Sequence, residues 1–311
     1  MCEIKNKNIL ITGCSGFLGS KVAEIFKLNG NTIYGIDKNN IDKEKETFFD
    51  SVIQAEVTTN NLSSFNTKFD IIVHCAGSSS VRFSFENPDA DYQMTVGSTI
   101  EVLNFIKESN RDSILIYPSS AAVYGNAIQL PIKETSELKP ISPYGQNKLI
   151  VENLCKENHN NYNTKILIIR FFSLYGAGLR KQLLWDACNK FHNSDNPSFF
   201  GTGNEVRDWL NIRDAVQIIY KFSESDFEFM TINGASGNGT TNKEIISMIS
   251  NHFGKKSFSF TGEVPAGDPL NLSADTQLLN SYGFKSEVSL DKGIIEYVDW
   301  YKKINSLNTY K

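Results

Sequence analysis

Asn8-Ile9-Leu10-Ile11-Thr12-Gly13-Cys14-Ser15-Gly16-Phe17-Leu18-Gly19 runs from an apolar strand through three spaced glycines into an amphipathic helix that reaches Leu28. In a strand–turn–helix of this kind Gly13 permits the tight turn, Gly16 lets backbone approach a pyrophosphate, and Gly19 lets helix and strand pack closely. The helix amino terminus then offers amide donors and a partial positive charge to the phosphates. Gly13, Ser15, Gly16, Phe17, Leu18 and Gly19 are therefore the expected cofactor contacts. Asp37 closes the second strand 18 residues after Gly19, close to the roughly 20 of the dinucleotide fingerprint. Its carboxylate can accept bonds from both ribose hydroxyls and would repel a 2′-phosphate, so NAD is expected over NADP. Lys38 beside it softens that rejection slightly.

Outward from this loop, Asn8 to Thr12, Thr32 to Ile36, Ile71 to His74, Ile114 to Tyr117 and Lys165 to Phe172 have the apolar character of buried strands. Helical patterns fill Gly16 to Leu28, Pro88 to Ser109 and Pro143 to His159. Alternating strands and helices imply right-handed crossovers and an α/β fold with a doubly wound parallel (Rossmann) sheet. The continuous apolar runs at Ile114–Ile116 and Ile166–Ile169 suit strands covered on both faces. After Tyr175 the pattern loosens, with glycines at 176, 178, 201 and 203 and helices near Lys243 to Phe253 and Leu290 to Lys302. The expected division is a dinucleotide-binding domain over 1–174, to which residues about 205–235 return, and a smaller, irregular substrate-binding part over 175–311.

With 311 residues, 40% hydrophobic and 21% charged, the chain can bury a full core, and neither a disordered nor a membrane class is favoured. A net charge of -4 without a dense basic run argues against nucleic acid or a membrane surface as partner. The amino terminus lacks signal-peptide regions and no apolar run spans a bilayer, so a cytoplasmic location is expected. Five scattered cysteines without a CxxC pair indicate neither a disulfide framework nor a metal site.

Tyr144-x-x-x-Lys148 places a phenol and an ammonium on one face of a helix that starts near Ser142-Pro143. A phenol with pKa near ~10 is a poor base at neutral pH; an adjacent cation and a positively charged nicotinamide favour its ionised form. Tyr144 can then accept a substrate hydroxyl proton, and Lys148 can also hold the nicotinamide ribose. Ser119 and Ser120 end a strand where ligands of open sheets bind, and either hydroxyl could bond the same oxygen. His74 is expected to be a packed strand-end residue.

The glycine loop, His74-Cys75-Ala76-Gly77, Ser119-Ser120-Ala121-Ala122-Val123-Tyr124-Gly125, Tyr144-Gly145-Gln146-Asn147-Lys148, Arg170-Phe171-Phe172-Ser173-Leu174-Tyr175-Gly176, Gly201-Thr202-Gly203 and Arg207-Asp208-Trp209 follow one another in the order and spacing of a known family. From residue 8 to about 275 the chain resembles the NAD-dependent epimerase/dehydratases, the extended short-chain dehydrogenase/reductases. The resemblance selects Ser120 over Ser119 and implies catalysis by Ser120, Tyr144 and Lys148. It adds Glu56 and Val57 at the adenine, Ala76, Gly77 and Phe171 elsewhere along the cofactor, and Arg82, Ser120, Ser173, Arg180 and Arg207 at a nucleotide-diphosphate sugar. A homodimer joined through the Pro88–Ser109 and Pro143–His159 helices is also implied.

Dehydratases of the family carry acids at the two positions before Val-Tyr-Gly, where this chain has Ala121 and Ala122. With no proton carrier beyond the phenol, elimination of water is disfavoured. What remains is a 4-epimerase working through a transient 4-keto sugar, a one-way 4-dehydrogenase or 4-keto-sugar reductase, or a non-catalytic NAD-binding sensor or scaffold. The last is expected to lose the tyrosine or lysine, and both are present. Family epimerases carry asparagine at Ser173 and near Thr95, and arginine at Pro265. Arg207, with Arg180 or Lys181, could supply the missing grip on the diphosphate.

Overall fold

The computed structural model describes residues 5–254, 257–263 and 267–308. Seven strands form a wholly parallel sheet in the order Phe229–Gly234, β6 (Lys165–Phe171), β5 (Ile114–Ser120), β4 (Ile71–His74), β1 (Asn8–Thr12), β2 (Thr32–Asp37), β3 (Ser51–Gln54). The chain leaves β1 toward β2 and β3, then returns to β4 on the other side of β1. The strand order thus reverses at the β1/β4 boundary, where a doubly wound sheet leaves a crevice beyond its carboxyl ends. The glycine loop follows β1 and the segment from Cys75 follows β4, so both open into that crevice.

Each face of the sheet is covered, which explains why the strands do not alternate in polarity. On one face α1 (Phe17–Leu28) and the helix Ile212–Ser223 bury Val22, Phe26, Ile218 and Ile219 against Ile9, Ile11 and Ile169. On the other, Ser98–Ser109 and Pro143–Tyr162 bury Val102, Phe105, Val151 and Cys155 against Leu10, Ile72 and Leu115. A third core gathers Tyr175, Leu184, Phe191, Trp209, Ile246 and Tyr297 beneath a second, four-stranded sheet. In the segment 205–235, Val206–Asn211 belongs to that second sheet, whereas the following helix and Phe229–Gly234 join the first.

One helix departs from expectation. Pro88 to Ser109 is interrupted: Pro88–Tyr92 passes through a π-turn at Gln93–Gly97 into Ser98–Ser109. Ser98 Oγ donates to Met94 O at 2.6 Å and Thr99 Oγ1 to Thr95 O at 2.7 Å. Hydroxyls that compete for carbonyls in this way loosen the regular helical ladder, and such one-residue insertions recur at functional sites. Here Gln93, Met94, Gly97 and Ser98 face the crevice.

Candidate active site

The crevice is a cleft of about 1340 Å³. Gly13 sits at φ +66°, and a Cβ there would lie 2.6 Å from the Ala76 amide nitrogen, so the turn after β1 presses on the segment after β4 in a way only glycine allows. A Cβ on Gly19 would collide with Gly13 O. No acidic side chain occupies the first turn of α1 and its N-cap Gly16 offers no side chain, so that amino terminus is open toward the cleft. Asp37 is buried at the end of β2. Its Oδ2 accepts from Ser15 N at 3.0 Å and Ser15 Oγ at 2.7 Å, and its Oδ1 from Asn39 N at 2.9 Å. The fingerprint acid therefore braces the loop as well as lining the cleft, and the cradle fits a dinucleotide with a free ribose diol. Glu56, Val57, Ala76, Gly77 and Phe171 line the same cleft. Asp37→Ala should weaken NAD binding by about tenfold or more, the worth of a charge-assisted hydrogen bond, and narrow the preference over NADP. Calorimetric titration with both dinucleotides checks this; an unchanged preference would refute the role.

Ser120, Tyr144 and Lys148 meet at the carboxyl end of β5. The phenol lies beside Ser120, whose hydroxyl favours its ionised form and whose Oγ accepts from Ala122 N at 3.2 Å. Lys148 Nζ donates to Pro118 O at 3.1 Å and stands 4.7 Å from the Tyr117 ring centre and 5.9 Å from that of Tyr144. Ser142 caps their helix by accepting from Gly145 N, and Pro143 fills its first turn, fixing the phase that brings both groups to the cleft. Burial pulls Lys148 down to about 8, against the opposing pull of Cys75, Asp91 and Glu152. Burial also pushes the Tyr144 phenol up, and Asp91 adds to this, while the Ser120 bond lowers it. In the protein alone the balance is therefore upward; the lowering expected from the sequence also counts the positive charge of a nicotinamide beside the phenol.

His74 is fully buried between two hydroxyls, Thr12 Oγ1 at 2.7 Å and Thr99 Oγ1 at 3.0 Å, and is pushed down to about 3. It is a packed neutral ring. Ser119 also lines the cleft, and its Oγ donates to the buried Glu152 Oε1 at 2.6 Å. Ser173, Ala121 and Ala122 line the cleft, so no acid stands at the two positions before Val123. Thr95 is buried and its Oγ1 accepts from Ser78 N, bracing the loop after β4. Pro265 and Ala266 lie outside the described residues.

The expected substrate arginines separate. Arg207 lines the cleft with its guanidinium at 2.5 Å from Asp268, further bonded to Val206 O and Leu270 O. Arg82 also borders it, but is 88% exposed and paired with Glu86 at 2.7 Å. Arg180 does not line the cleft: its guanidinium stands 6.0 Å from the ring centre of Trp300. Its neighbours Lys181 and Gln182 do line it. Gln182 has φ +66°, costly for a residue with a side chain; that turn at the start of the Gln182–Asn193 helix follows no glycine or asparagine signal. Asp186, Phe200 and Glu205 are further cleft residues outside the sequence motifs, and Trp209 of the Arg207-Asp208-Trp209 motif lines the cleft too. Among the described residues no group of three or more His, Cys, Asp or Glu could hold a metal, and no helix is long and apolar enough to cross a membrane.

A reversing parallel sheet, a glycine loop closed by an aspartate, and a serine, tyrosine and lysine across one cleft define a dinucleotide-dependent hydride-transfer enzyme. The chain belongs to the NAD dependent epimerase/dehydratase family, whose model matches residues 9–232. It is 29% identical to an uncharacterized UDP-glucose epimerase of Bacillus subtilis, over 86% of this chain and 89% of that one. It is 24% identical to the UDP-glucuronate 4-epimerase of Thermodesulfobacterium geofontis, over 94% and 96%. The UDP-glucuronic acid 4-epimerase of Bacillus cereus, solved with UDP-glucuronic acid and NAD, superposes with a TM-score of 0.86 at 25% identity, covering 96% of this chain and 99% of that one.

Proposed function

We propose that the protein is an NAD-dependent nucleotide-sugar 4-epimerase that works through a transient 4-keto sugar. The observation that carries this reading is the meeting of Ser120, Tyr144 and Lys148 at the carboxyl end of β5, in one cleft with the glycine loop and without an acid at Ala121 or Ala122. Relatives that act on UDP-sugars support it. The glycine loop, Asp37, Glu56, Val57, Ala76, Gly77 and Phe171 would hold NAD, which when bound supplies the hydride acceptor and a positive charge. Tyr144 takes the proton of the C4 hydroxyl as that carbon is oxidised, and returns it when the opposite face is reduced. Ser120 bonds the same oxygen in both states, and Lys148 keeps a cation beside the phenol. Arg207 and Ser173 would contact the nucleotide sugar, with Arg82 at the rim.

The test is incubation of the protein, with its released cofactor identified by mass spectrometry, with UDP-, GDP-, CDP- and dTDP-sugars. A C4 epimer without net NADH supports the reading. Stoichiometric NADH with a keto sugar would replace it by the one-way dehydrogenase, and inactivity on every sugar by the sensor. In the epimerase reading residues 1–174, with part of 205–235, serve the cofactor and 175–311 mainly the substrate. A homodimer is part of the proposal: Tyr92, Ile100 and Tyr162 are exposed on the two helices that would pair. A cytoplasmic location is equally a proposal, in keeping with the free thiols of Cys14, Cys75, Cys155 and Cys188.

A further inference from the structure

Five basic residues border the cleft; three of them are engaged and a fourth is solvent-exposed. Arg207 is neutralised by Asp268, Arg82 by Glu86, Lys148 belongs with Tyr144, and Lys38 lies exposed beyond Asp37. Lys181 differs from all of them. It is half-buried, and burial alone pulls its ammonium down. Among the described residues no carboxylate pairs with it; its one hydrogen bond runs across the cleft to Ser79 Oγ at 2.5 Å. An ammonium has three donors, so two remain free. A partly desolvated cation without an anion is costly to maintain, and the chain around this one is fixed. Two residues before it, Leu179 O accepts from the Tyr297 hydroxyl at 2.6 Å, and a Cβ on Gly178 would meet the Phe17 ring at 3.7 Å. The segment therefore passes directly over the start of α1, beside the dinucleotide loop, before Lys181 reaches Ser79.

We propose that Lys181 Nζ, held over the cleft by Ser79 Oγ, binds the diphosphate of a ligand, either that of the dinucleotide or that of the nucleotide sugar. Both share the same chemistry, two linked phosphates with a negative charge each, and both must lie in this cleft for hydride transfer. The second source rests on the nucleotide-sugar reading; the first does not. The amino terminus of the helix Gln182–Asn193 begins at the same point with no side-chain cap and no acid in its first turn, adding its positive end to the ammonium's field.

The experiment titrates wild type, Lys181→Met and Lys181→Arg calorimetrically with NAD, and separately with UDP, dTDP, GDP and CDP. Lys181→Met should lose at least about tenfold in affinity, the value of one charge-assisted bond, while Lys181→Arg keeps most of it. Loss in the NAD arm assigns the cofactor's diphosphate, and loss in the nucleoside diphosphate arm assigns the substrate's. Ser79→Ala, which removes only the steering hydroxyl, should lose less in the same arm. Undiminished affinity of Lys181→Met in both arms overturns the proposal, as does an equal loss in Lys181→Arg, because charge would then not be what binds. A wild type that binds diphosphates but converts no sugar would sink the epimerase reading and leave this test standing.

Discussion

Tyr144→Phe should lower turnover at least about a hundredfold while leaving NAD affinity and thermal stability nearly unchanged. The substitution removes one oxygen and keeps the ring, so the packing beside Lys148 and Ser120 survives. What is lost is the hydroxyl that stands beside Ser120 to carry the substrate proton, and general acid–base assistance of this kind contributes about 10² to 10⁴ in rate. Other groups are poorly suited: His74 is buried neutral between two hydroxyls, Glu205 is occupied by Thr202 and Gly203, and Ala121 and Ala122 carry no proton. Ser120→Ala should cost less, since it removes a bond to the oxygen and leaves the phenol. Single-turnover conversion of the substrate found in the sugar panel measures both. Retention of nearly full rate by Tyr144→Phe, with NAD bound, would show that the phenol is not the base.

The sequence discloses the glycine loop, Asp37 and the Tyr144/Lys148 pair because each is local: a turn, a strand end, two residues one helical turn apart. It is equally direct on the sheet, since strands covered on both faces leave continuous apolar runs. Placement decided by long-range packing is harder to see. Arg180 and Lys181 are adjacent cations of similar reach, yet the first goes to Trp300 and the second into the cleft. That division depends on the left-handed turn at Gln182 and on the Tyr297 bond to Leu179, which joins residues 118 positions apart. The π-turn at Gln93–Gly97 was hidden for a related reason. Its residues keep a helical apolar pattern, and only the hydroxyl bonds of Ser98 and Thr99 reveal the inserted residue. For Tyr144, spacing shows the cation but not the burial that pushes the phenol up in the protein alone.

Burial also sets the size of the other large effect. Glu152, one turn beyond Lys148, has both carboxylate oxygens engaged: Oε1 accepts from Ser119 Oγ at 2.6 Å and Arg170 Nε at 3.0 Å, and Oε2 from Arg170 Nη2 at 2.7 Å. The two side chains are 5% and 7% exposed. Arg170 Nη1 donates to Tyr124 Oη at 3.0 Å and Glu134 O at 2.9 Å, and Tyr124 donates onward to Asn233 at 2.7 Å. The network fastens the end of β5, where Ser120 stands, to the helix that carries Lys148. Glu152→Ala would strand a buried guanidinium, which costs about 3–5 kcal/mol. At roughly 2–4 °C per kcal/mol for a sizeable domain, Tm should fall by about 6 to 20 °C. Activity at a temperature where the variant is still folded should fall as well, because Ser119 loses its anchor. Replacing both partners by apolar residues, Glu152→Leu with Arg170→Met, removes the stranded charge and should recover much of the stability without restoring the anchor. Thermal unfolding and turnover of wild type and both variants decide the matter. A Glu152→Ala protein as stable as wild type would mean that the guanidinium finds water or another anion, and the pair would then have no part in holding the site together.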